Sequence, residues 1–146
     1  MRVLTDECTN WPELIDRLND LGSRYGCTFV PFPDRYRGRS IPDEEVPSIC
    51  RSEGATALLT KNYIDFARHK LYFQALLSEG ISAIVLKQPN PKTTVADVDY
   101  QVALLEPRLR NIVRRLERED EPLLFVVSES KSRPNRLQEL IDEFRK

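Results

Sequence analysis

Short apolar runs alternate with amphipathic stretches along this chain, and that alternation restricts the fold more than any other feature. Residues 2–5 (R-V-L-T), 27–32 (C-T-F-V-P-F), 55–60 (A-T-A-L-L-T), 81–86 (I-S-A-I-V-L) and 123–128 (L-L-F-V-V-S) are too short for core helices and rich in aliphatic side chains, so they read as strands. Between them, Trp11, Leu14, Ile15, Leu18 and Leu21 mark one helical face, starting near Asn10 as N-cap and ending at Gly22 or Gly26. Pro42 opens a short helix over 43–53, with Pro47 as a kink or a break between two turns. A helix is expected over 67–79, stopped by Gly80. Apolar residues recur at steps of three and four over 94–118, interrupted at Pro107. Such a helix either lies on the sheet or offers a seam to a partner helix. Leu137, Leu140, Ile141 and Phe144 predict a C-terminal helix over 136–146.

Strands separated by helices need crossover connections, which makes neighbouring strands parallel and puts helices on both faces. The expectation is an α/β fold: a three-layer α/β/α sandwich around a mainly parallel sheet of about four or five strands. One domain spans residues 1–146, with residues 1–90 as the core and 94–146 adding a helix, an edge strand and a last helix. With 40% hydrophobic and 31% charged residues, the chain can bury a core unaided. The net charge of -1 argues against an indiscriminate nucleic-acid coat. Cys8, Cys27 and Cys50 are odd in number and form no C-x-x-C pair, which points to a reducing, cytoplasmic setting rather than a disulfide or zinc scaffold. No long apolar segment suggests a membrane span.

In open parallel sheets, sites form beyond the C-terminal ends of the strands. The first strand delivers Asp6 and Glu7 to that edge, the third delivers Lys61, Asn62 and Asp65, and the helix between them begins with Asp43-Glu44-Glu45. Each acid also has a plain structural role as a strand end, a dipole partner or a helix cap. Gathered together, carboxylates repel unless a cation neutralises them, and hard oxygen ligands suit Mg²⁺ or Mn²⁺.

The motifs that carry these acids resemble a known family. Thr60-Lys61-Asn62-Tyr63-Ile64-Asp65-Phe66 is similar to the T-x-N-x-x-D-F segment of VapC-type PIN-domain toxins. Leu4-Thr5-Asp6-Glu7 resembles the L-x-D-E start of the compact PIN-like branch, and Ser40-Ile41-Pro42-Asp43-Glu44-Glu45-Val46 resembles its D-E-E helix start. The resemblance covers the element order over 1–86 and, more faintly, out to residue 128. It implies a divalent-metal ribonuclease, often the toxin of a toxin–antitoxin pair and often a homodimer. Asp6, Asp43 and Asp65 would then hold Mg²⁺ or Mn²⁺, with Glu44 as a further catalytic acid and Glu7, Thr60 and Asn62 in support. Many relatives have Asp where this chain has Asn62, which leaves a second reading: a domain with weakened catalysis that binds RNA or protein.

Arg35, Tyr36, Arg37 and Arg39 precede the acidic turn, and Lys61 and Arg68 follow the third strand. Guanidinium groups pair with phosphates and tyrosine stacks on unpaired bases, so a cradle for single-stranded RNA is expected, against the alternative of a solvated surface. His69, the only histidine, has no nucleophile to pair with. A phosphoacceptor of the response-regulator kind also puts acids at strand ends, but Glu7 and Lys87 imitate its extra acid and lysine only loosely. Phosphate-loop, dinucleotide and zinc-protease motifs are absent from the sequence.

Overall fold

A computed structural model describes residues 1–6, 12–36, 38–39, 41–60, 70–87, 95–128 and 132–136. The strands are β1 (Arg2–Thr5), β2 (Thr28–Val30), β3 (Ala57–Thr60), β4 (Ser82–Leu86), β5 (Leu123–Val127) and β6 (Ser132–Arg136). The helices are α1 (Pro12–Gly22), α2 (Val46–Ser52), α3 (Lys70–Glu79), α4 (Val95–Leu105) and α5 (Leu109–Arg118). The sheet order is β2-β1-β3-β4-β5-β6. All neighbours are parallel except β5 and β6, which run antiparallel.

The helices cover both faces because the inner strands are apolar on both. Successive residues of one strand enter opposite layers, as the pleat requires. Val3, Leu59, Ile84 and Phe125 join α1, α4 and α5 in one core. Leu4, Leu58, Val85 and Leu124 join α2 and α3 in the other. The expected three-layer α/β/α sandwich is therefore present.

Prolines set several boundaries. Residues Asp43–Glu45 form a 3₁₀ turn, and Pro47 falls in the first turn of α2, where its missing N–H costs nothing. Residues 106–108, with Pro107, separate α4 from α5. One expectation fails at Arg136, placed at the start of a helix but found at the end of β6. A strand at a sheet edge needs backbone partners on one side only, so the polar S-R-P-N-R run can pair, and Pro134 is tolerated there. Residues 137–146, expected to be helical, lie outside the described residues.

Candidate functional site

The chain leaves β1 for β2 on one side, then crosses back to β3 on the other. The crevice between the C-terminal ends of β1 and β3 is thus the switch point of the sheet, where open α/β sheets form their sites. Asp6 is the first residue past β1, and Thr60 is the last residue of β3.

Two hydrogen bonds fix the end of β1 from opposite sides. The Thr5 hydroxyl donates to the Val30 carbonyl at 3.0 Å, tying β1 to the end of β2. The Asp6 backbone N–H donates to the Leu59 carbonyl at 3.0 Å, tying it to β3. The Thr5 side chain is fully buried, which fixes the hydroxyl's end of the bond to Val30. Thr5 pairs with Leu59 in the register; one step further on, Asp6 stands opposite Thr60, about 4.8 Å away across the strands. Leu4 and Leu58 face the α2–α3 layer, so Asp6 and Thr60, two residues on, fall on that same side. Thr60 is almost fully buried, while Asp6 is half-exposed.

The second acidic point belongs to the same side. Glu44 and Glu45 are exposed on the 3₁₀ turn, whose Glu45 N–H bonds the Pro42 carbonyl at 2.9 Å. That turn packs against α3. At the other end, Arg51 of α2 and Glu79 of α3 pair at 3.4 Å. The two helices therefore run side by side with their N-termini toward the C-terminal ends of the strands. The Asp43 backbone is part of the turn; its side chain, together with Glu7, Lys61, Asn62, Asp65, Arg68, His69 and Arg37, lies outside what is described. Among the described residues, no group of three His, Cys, Asp or Glu side chains is gathered to hold a metal. Asp6 and the turn carrying Glu44 and Glu45 lie at the C-terminal end of the strands; the side chains of the other expected ligands, Asp43 and Asp65, lie outside the described residues.

The cationic loop divides. Arg35 bonds Glu53 at 2.7 Å, and its guanidinium also lies 4.8 Å from the centre of the Tyr36 ring. Hydrogen bonding, first to Tyr36 and then to Glu53, raises its pKa above the usual guanidinium value. Tyr36 in turn leans on Phe32, with ring centres 5.7 Å apart. Glu53 caps the C-terminal end of α2, roughly 10 Å along the helix from the acidic turn at a 1.5 Å rise per residue. Arg35 and Tyr36 thus pin the loop to α2, and Arg39 is left exposed beside them.

Both described cysteines are buried thiols. Burial pushes Cys50 up to about 12, and the negative charge of Asp6 adds to the rise. Burial likewise raises Cys27 to about 11. Both stay protonated, and a thiol is a poor nucleophile. The sequence reading passed over Thr5, whose buried hydroxyl positions Asp6. The one signal for it was parity: a polar residue on the Val3 side of an otherwise apolar strand. Among the described residues no helix is long and apolar enough to cross a membrane. Comparison with protein-family models, curated proteins and solved structures finds no match to this chain.

Proposed function

We propose that the chain is a divalent-metal-dependent endoribonuclease of PIN type, acting on single-stranded RNA at the β1–β3 crevice. The observation that carries this reading is the placement of Asp6. It is held from two sides at the switch point of a doubly wound sheet, opposite buried Thr60 and on the side where Glu44 and Glu45 sit. Asp6, Asp43 and Asp65 would hold Mg²⁺ or Mn²⁺, and Glu44 would add negative charge to the same rim. When bound, such a cation would supply positive charge to a phosphodiester and acidity to a water. The protein's own part is to hold the strand end that carries Asp6, which Thr5 and the Asp6–Leu59 backbone bond do from two sides. Arg39, Arg37, Lys61 and Arg68 would meet the RNA backbone. A cytoplasmic toxin paired with an antitoxin, and a homodimer, are the biological form this reading takes.

Asn62, where many PIN-like domains have Asp, favours the second reading of a binding module. Mn²⁺ titration of the wild type against Asp6→Asn and Asp65→Asn separates the two. Metal binding lost in both variants supports the nuclease; no metal binding in the wild type supports the module.

A further inference from the structure

The outer face of α5 carries a concentration of charge that the β1–β3 crevice does not use. Over Leu109–Arg118 the helix has four arginines and one glutamate, net +3, within a chain of net charge -1. Its apolar side, Leu109, Ile112 and Val113, is buried in the core. Arg110, Arg114 and Arg118 are exposed, and none has an ion-pair or hydrogen-bond partner among the described residues. They follow at intervals of four, so they form one stripe with about 6 Å of axial rise between neighbours. Beside them lies an open hollow of about 620 Å³ lined by Asn111, Arg114, Arg115, Glu117 and Arg118.

Helix stability accounts for Arg118, which stands in the last turn where the dipole favours a cation, but not for Arg110 and Arg114. Like charges four residues apart oppose each other. Arg110 stands in the first turn, where the helix dipole disfavours cations, and no acid accompanies it there. Arg115, by contrast, is paired with Glu119 at 3.3 Å and Arg108 bonds the Leu104 carbonyl at 2.7 Å, so those two serve the fold. A second copy meeting this face symmetrically would set arginine against arginine. The occupant that fits is a chain bearing regularly repeated anions, and guanidinium forks match phosphate oxygens two at a time.

We infer that Arg110, Arg114 and Arg118 form a second contact surface for the phosphate backbone of RNA, remote from the acidic rim. α5 lies against Ser23–Tyr25, and Glu117 acts on Cys27, so this face is at the end of the molecule where β2 begins. The choice of RNA rests on the nuclease reading; the charge pattern does not.

The test is fluorescence anisotropy of a labelled single-stranded oligouridylate with the full chain in EDTA, where metal-dependent cleavage is absent. Salt is varied between about 50 and 200 mM. The variant R110Q/R114Q/R118Q is expected to bind more weakly and to flatten the slope of log K against log salt by about 2, at ~0.7 per single-strand phosphate. R110K/R114K/R118K is expected to keep most of the slope, and melting curves check that each variant folds. An unchanged slope in the glutamine variant, no RNA binding by the wild type, or displacement of RNA by polyglutamate as readily as by unlabelled RNA overturns the inference. Metal binding is read separately, so its failure with RNA affinity intact would remove the nuclease and leave this surface standing.

Discussion

A Cβ on Gly22 would sit 2.4 Å from the Cys27 carbonyl oxygen, a backbone atom that cannot swing aside. The same closeness lets the Cys27 N–H bond the Gly22 carbonyl at 3.0 Å, which turns the chain from α1 into β2. Gly22→Ala is therefore expected to destabilise the fold by about 1–3 kcal/mol despite the ordinary helical backbone there, read as a lowered Tm. The buried thiols make a second prediction. Cys27 and Cys50 are held protonated in the fold, to about 11 and about 12, but ionise near 9 once unfolded. Stability is unaffected below that value and falls as pH rises from about 9 toward 12. Melting curves from pH 8 to 11 should show this loss, and C27A/C50A should lose less with rising pH than the wild type, whatever its baseline. The position of Asp6 past β1 was legible because the acidic pair Asp6-Glu7 follows a short apolar run. Thr5 was not, because its partner, the Val30 carbonyl, is 25 residues away.

Among the elements, β2 is one edge of the sheet and is only three residues long. The Asn19 side chain from α1 covers it: its amide donates to the Phe29 carbonyl at 3.0 Å, and its carbonyl accepts the Phe29 N–H at 2.7 Å. One side chain thus imitates a neighbouring strand and blocks pairing with another chain. Asn19→Ala should cost about 1–2 kcal/mol and increase aggregation, measured by denaturant unfolding and light scattering. A monodisperse variant of unchanged stability would show that water replaces the amide without loss. Strand and helix order could be read from periodicity because burial on two faces leaves continuous apolar runs such as Ala57–Thr60. The antiparallel β6 could not, since S-R-P-N-R has neither alternation nor apolar content and its pairing with β5 is a backbone ladder. The break between α4 and α5 was legible in Pro107.

Across the whole molecule, the two halves of the sequence share one sheet, and its switch point falls at β1 and β3. Strand order decides where a site can form, and order is settled by long-range pairing rather than by local pattern; from the sequence, only the strand ends could be named. Asp6, Glu44 and Glu45 lie at the end where the parallel strands finish and the arginine stripe at the end where β2 begins, so an RNA held at both would have to pass along the protein. On the nuclease proposal, Asp6 belongs to a carboxylate centre that binds a divalent cation. Calorimetric titration of Mn²⁺ into the wild type, Asp6→Asn and Asp65→Asn tests it most directly, without knowledge of the RNA target. The wild type is expected to bind and both variants to lose binding, while each variant melts as the wild type does. Wild-type protein that binds no Mn²⁺ at millimolar concentration, or an Asp6→Asn variant that binds as the wild type does, would contradict it.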